Sequence, residues 1–450
     1  MARDLGLRLT RGTDQRFLSA GLAAALLVSL CGCSGPLANI RNPFAKKEEI
    51  LPGERIAVIT DPGASDLNPA GAPKPISLPP PRSNETWTEP GGTPSNNLGH
   101  LALNEQVQKV WSADAGTGSS SSGRLSAIPL VANGNVYTLD AGGTVSAFSA
   151  ASGATVWSVS VTPENEKRKE GFGGGLALDG GRLYVTTGYG TVVGIDPGNG
   201  AIVWTKTVGE PVRSSPTAAA GKVFFVSADN VLHALNAADG SEAWTARGLP
   251  QIATLLSNVS PAVSENIVIA PFPAGDVAAY DVASGKASWT DSLARTTETS
   301  AAGILGDPAR PVIDKGVVFA VSHGGKMIAT SESNGERLWT RNIASTQMPW
   351  VAGDTVYVVD LGGKLWALSR TDGAVKWATD LPGTGRWSGP VLAGGRLWLV
   401  SGDGLLVAAD ARSGQVISNL DLGTAVYVSP IVAGGRMYIL ADNATLIALN

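Results

Sequence analysis

The chain has 450 residues, of which 43% are hydrophobic and 16% charged, with a formal net charge of −4. That apolar share supports a sizeable core, the low charge content excludes large solvated helical faces, and the acidic balance argues against a phosphate-backbone binder. Two cysteines (Cys31, Cys33) and three histidines (His100, His233, His323) leave no ligand set for a disulfide scaffold or a Cys/His-rich zinc site.

In chain order, the first sixteen residues carry Arg3, Arg8, Arg11 and Arg16, and Phe17 to Leu30 is a nearly unbroken apolar stretch. A bilayer span needs about 20 such residues, so the shorter run reads as a signal-peptide core, with residues 1–32 removed on maturation. The segment Leu30-Cys31-Gly32-Cys33-Ser34 resembles the bacterial lipobox. That resemblance implies a diacylated and N-acylated Cys33 as the first mature residue, a stable membrane anchor, and, from Ser34, sorting to the outer membrane. Residues 33–104 are rich in Pro, Ser and Asn, including Pro79-Pro80-Pro81, and read as a flexible tether. Trp87, one of the few large apolar residues there, is expected to dock onto the folded domain.

From residue 105 onward the sequence is repetitive, and a period of 40–50 residues signals a propeller or array. Ala147, Gly153 and Trp157 share one spacing with Gly194, Gly200 and Trp204, and with Ala234, Gly240 and Trp244. The spacing recurs at Ala279, Gly285 and Trp289, at Ala329, Gly335 and Trp339, and at Ala367, Gly373 and Trp377. A seventh unit, Ala408 and Gly414, carries Ser418 at the tryptophan position. Most units open on a Pro-containing strand (Pro129, Pro216, Pro261, Pro390), followed by a Gly-bearing turn and a β-branched, aromatic strand such as Val223-Phe224-Phe225-Val226. These are hairpin signals, and three hairpin turns per unit make a four-stranded blade. The alanine keeps the third strand thin, the glycine suits a turn of positive φ, and the tryptophan fills the wedge between neighbouring sheets. An eighth unit opens at Ser429-Pro430-Ile431, and Val107 to Trp111 matches its missing tryptophan-bearing strand. The fold class expected is therefore all-β, an eight-bladed β-propeller of four-stranded antiparallel blades closed by an N-terminal strand, occupying 105–450 at about 43 residues per blade.

The repeat resembles the tryptophan-docking motif of quinoprotein dehydrogenases, which implies pyrroloquinoline quinone and calcium as cofactors. The propeller has no Cys-Cys pair, no Cys-x-x-Cys-His and no Gly-x-Ser-x-Gly or His-Glu-x-x-His motif, and acids such as Asp276, Glu332 and Asp403 read as solvated turn carboxylates. A sugar platform built on Trp350, Trp366, Trp387 and Trp398 is a further alternative, against which core packing is the commoner use of such residues. Lipobox, tether and eight-bladed propeller together resemble the BamB family of outer-membrane assembly lipoproteins in its alphaproteobacterial form. The segments Leu51-Pro52-Gly53-Glu54-Arg55, Asn96-Asn97-Leu98-Gly99-His100, Ser322-His323-Gly324-Gly325 and Pro349-Trp350-Val351-Ala352-Gly353-Asp354 carry that likeness. The resemblance implies a scaffold with no catalytic residues and no cofactor, lipid-anchored on the periplasmic face of the outer membrane. Its partners would be the POTRA repeats of a BamA-like barrel-forming subunit and unfolded outer-membrane proteins. By position, Val212 and Arg213 would fall on one partner-binding loop and Asp307 on another. His100 and His323 are expected to be hydrogen-bonded within turns.

Overall fold

The first repeat folds as β2 (Leu130–Ala132), β3 (Asn135–Leu139), β4 (Thr144–Ser149) and β5 (Thr155–Ser160), paired in that order as an antiparallel meander. The computed structural model describes residues 75–121, 123–168, 170–248, 258–273, 275–293 and 308–450. Among them thirty-two strands form eight such four-stranded sheets. The first three strands of each blade are buried almost throughout, because a blade packs against a neighbour on both faces; this is why they read as continuous apolar runs. The fourth strand alternates, as in Thr155–Ser160, with its tryptophan turned inward and polar neighbours outward.

The repeated residues form one contact between successive blades. Trp157 pairs across its sheet with Ala147, while its indole lies over Gly200 of the next blade, where an added Cβ would come within 2.6 Å of the ring. Gly200 has φ +77°, so glycine is required there both for the turn and for the approach of the ring. Trp157 Nε1 then donates to the Pro197 carbonyl at 3.0 Å. Trp204, Trp244, Trp289 and Trp339 repeat the donation to Ala237, Val282, Glu332 and Arg370.

The eighth blade is assembled from both ends of the propeller. Its strands are β30 (Ile431–Ala433), β31 (Arg436–Leu440) and β32 (Thr445–Leu449) from the end of the chain, and β1 (Lys109–Asp114) from the start of the domain. The pairing of β1 with β32 sets Trp111 opposite Ala448 and over Gly153 of blade one. Because β1 arrives from far upstream, blade eight has no hairpin between its third and fourth strands. The glycine turn on which a blade-seven tryptophan would dock is therefore missing, and this accounts for Ser418, which pairs with Ala408 where the other units pair Trp with Ala or Gly.

Residues 75–104, the last part of the stretch that reads as a tether, are seated on the ring as a strap. Between Asn84 and Leu101 the strap bonds to the innermost strand of each blade in turn. The Gly434 amide of blade eight donates to the Asn84 carbonyl, Trp87 and Val131 of blade one exchange both backbone bonds, and Leu178 N of blade two donates to Thr88 O. Ala218 N of blade three donates to the Glu89 carboxyl at 3.2 Å, and Val263 and Ile313 of blades four and five donate to Pro94 and Ser95. Trp350 Nε1 of blade six donates to Gly99 O at 2.7 Å, and Leu101 pairs with Leu392 and Gly394 of blade seven. His100 adds a staple: the Gly395 amide donates to its Nε2 at 2.8 Å, which leaves Nδ1–H to donate to the Pro79 carbonyl at 2.7 Å. The innermost strands present unpaired backbone groups toward the axis, and the strap satisfies them.

Glu89 is the strap's one fully buried carboxyl, 1% exposed. Burial pushes its pKa well above the usual carboxylate range, the Ala218 amide opposes that shift, and the charge of Asp179 adds to it. The folded protein thus keeps this proton to higher pH than the unfolded chain, where glutamate titrates near about 4.3. Stability from this group is complete below that value and falls as pH rises toward the folded pKa. Glu89→Gln, which keeps an oxygen for the Ala218 amide, is expected to raise the melting temperature at about pH 7.5 and to leave it nearly unchanged at about pH 4. Thermal unfolding at both pH values checks this; an equal shift at the two would refute the titration.

Candidate functional site

The loop between β9 (Ile202–Thr207) and β10 (Thr217–Ala219) holds two of the residues singled out in the sequence. Val212 is wholly buried, packed with Tyr184, Val192, Val223 and Phe225, and its amide donates to Thr187 O at 3.2 Å. Its side chain anchors the loop from beneath and is not offered to a partner. Arg213 is half-buried, with its guanidinium 4.8 Å from the centroid of the Phe172 ring. Its carbonyl accepts from Gly174 N at 3.0 Å, which ties this loop to the one before blade two. Among the described residues Arg213 Nε has no acceptor. That nitrogen is itself enclosed, so a carboxylate on a partner would be met by the outer nitrogens of a planar cation held against an aromatic face. Cys33 and Asp307 lie outside the described residues.

Asn258, which no feature of the sequence singles out, ties four blade starts together. Its Nδ2 donates to the carbonyls of Ser126 (3.1 Å) and Gly174 (2.6 Å), and its Oδ1 accepts from Ser215 N at 3.0 Å and from Arg310 Nη2 at 3.4 Å. A lone asparagine in a loop has no local signature; only closing the ring brings its four partners to it.

Trp350, Trp366, Trp387 and Trp398 are all buried, at 2%, 7%, 6% and 2% exposure, so they form core and not a sugar platform. Asp276 departs from the turn-carboxylate reading: it opens β16 (Asp276–Asp281), is buried, and has its pKa raised by that burial. Asp403 fits that reading, capping the amides of Thr384 and Gly385. His323 is half-buried, and its Nδ1 has no partner among the described residues. The described residues hold no group of three His, Cys, Asp or Glu side chains able to bind a metal ion. Beside Arg310, at the centre of the ring, the space open to the centre of a water-sized sphere is about 10 Å³. Ligand pockets run to about 300 Å³ or more, so this cavity, as the described residues line it, does not fit a tricyclic quinone with its calcium.

A family described as "Outer membrane protein assembly factor BamB" matches residues 98–168, 141–379 and 380–450, which is the whole ring together with the end of the strap. The chain belongs to the BamB family. The BamB of Nitrosomonas eutropha is 25% identical over 232 residues, 51% of this chain and 55% of that protein. The BamB of Yersinia pestis is 25% identical over 256 residues, 56% of this chain and 65% of that protein. The matches therefore span between half and two thirds of these curated BamB relatives. Among solved structures, BamB from Moraxella catarrhalis superimposes with a TM-score of 0.67 at 17% identity, covering 77% of this chain and all of that one. A quinohemoprotein alcohol dehydrogenase from Comamonas testosteroni gives 0.64 at 14% identity, covering 81% of this chain and 80% of that one. At such identities both show the eight-bladed fold alone, which BamB proteins share with quinoproteins.

Proposed function

We propose that this BamB-family chain is a non-catalytic scaffold in the assembly of outer-membrane β-barrel proteins. In this reading Cys33 anchors it by lipid to the periplasmic face of the outer membrane. It docks the POTRA region of a BamA-like barrel-forming subunit through the loops that carry Arg213 and Asp307, and so assists the insertion of outer-membrane proteins. The observation that carries the reading is the family match across the whole ring from residue 98 to 450.

Affinity purification of the tagged full-length chain from detergent extracts is expected to recover a POTRA-containing barrel protein; consistent failure to do so would remove the scaffold reading. Arg213→Glu is expected to weaken that association by about tenfold or more, since it sets like charge against the partner's acid. Unchanged affinity in a binding titration would discard the loop assignment and leave the scaffold standing.

A further inference from the structure

Two residues that line a cavity in the centre of the ring each carry an enclosed donor atom with no acceptor among the described residues. The lining includes Trp87 from the strap, Arg310 at the start of blade five, and Ile128, Met348, Trp350 and Ser429 from other blades. Trp87 Nε1 and Arg310 Nε are both buried without a hydrogen-bond partner among the described residues. Among the described residues the hydrogen bond that the Arg310 guanidinium makes is the long contact to Asn258 Oδ1, 3.4 Å. Burial alone lowers its pKa, to about 10, with no neighbouring carboxylate among the described residues acting to raise it. Arg310 as a residue is half-buried, with its Nε enclosed; a charge drawn that far from water without a described counter-charge carries a desolvation cost, and an orphaned indole N–H adds to it.

We propose that this cavity binds one small monovalent anion of the halide class, held by the Arg310 guanidinium and the Trp87 indole N–H, with the Ser429 hydroxyl available as a third donor. The space open to the centre of a water-sized sphere is about 10 Å³, on the order of what one water or an ion of similar size requires. Phosphate and organic carboxylates are too large. A water molecule would accept from both donors, but it would have to give its own protons to a lining that is otherwise largely apolar, and it would leave the charge uncompensated. A halide accepts only and supplies the missing charge. Because Trp87 belongs to the strap and Arg310 to blade five, the ion joins the strap to the ring, and its binding stabilises the seated strap by mass action.

The test uses the full-length chain. Melting temperature is expected to rise saturably with sodium bromide or chloride relative to sodium gluconate at matched ionic strength. Trp87→Phe, which removes one donor to an anion, is expected to weaken the apparent halide affinity by about tenfold or more. Arg310→Met, which keeps the apolar stem and removes the unpaired charge, is expected to abolish the halide-dependent rise. Crystals grown in bromide should show an anomalous peak within hydrogen-bond distance of both nitrogens. The proposal is overturned if the cavity of bromide-grown crystals shows no anomalous scatterer, or if the halide-dependent rise persists in Arg310→Met. The diffraction result decides alone should that variant fail to fold.

Discussion

Trp87→Ala is expected to destabilise the protein by about 3–5 kcal/mol, the range for truncating a buried tryptophan. The side chain is 2% exposed and stacks on Trp350 at 6.3 Å between ring centroids, while its backbone exchanges both hydrogen bonds with Val131. Truncation thus opens a void between the strap and blades one and six, and the strap has few other apolar residues to hold it, chiefly Leu98 and Leu101. Chemical denaturation followed by circular dichroism measures the cost. Limited proteolysis tests the mechanism, because Arg82, bonded through its guanidinium to the Leu98 carbonyl, becomes cleavable once the strap lifts. A loss below about 1 kcal/mol with unchanged protease resistance would mean that the strap does not depend on this residue. Trp87→Phe keeps most of the buried surface and removes an indole N–H that has no acceptor among the described residues, so its cost in denaturation is expected to be much smaller.

The docking of tryptophan on glycine predicts a contrast within blade three. Gly221 and Gly240 have nearly equal backbone angles, φ +70° and +72°. A Cβ at Gly221 would meet nothing within 4 Å, whereas at Gly240 it would lie 2.6 Å from the Trp204 ring. Gly221→Ala should therefore cost only the left-handed backbone penalty, about 1–2 kcal/mol. Gly240→Ala carries the same penalty and also displaces Trp204, separating blade two from blade three, for a total expected above about 3 kcal/mol. Equilibrium unfolding of the two variants side by side settles the matter: equal losses would show that these glycines serve turn geometry alone.

What repeats in this chain is also what could be read in advance. Trp157, Trp204 and their counterparts announce themselves because every blade solves the same packing problem with the same residues, so the blade number, the four strands per blade and the closing role of Trp111 were all legible from spacing. The strap was not. Its partners are eight different inner edges, each met by one or two residues and chiefly through backbone groups, so Thr88, Pro94 and Ser95 carry no periodicity and the segment reads as a Pro-rich tether. Val212 misled for a related reason. A valine in a turn-like Pro-Val-Arg-Ser segment looks exposed, and only the wedge between blades two and three shows it to be core. Asp276 likewise follows a loop in sequence but opens a buried strand.

The ring itself is a local property of the chain: a repeated Ala, Gly and Trp spacing dictates hairpins and one recurring contact between neighbours, and eight such units have to close. What lies at the centre is a property of the closed ring. Closure brings Asn258, Arg310 and the strap to a common axis from positions far apart in the chain, and once they are buried there, the pairing of Glu89 with the Ala218 amide and the unmet donors of Trp87 and Arg310 depend on geometry that no local pattern encodes.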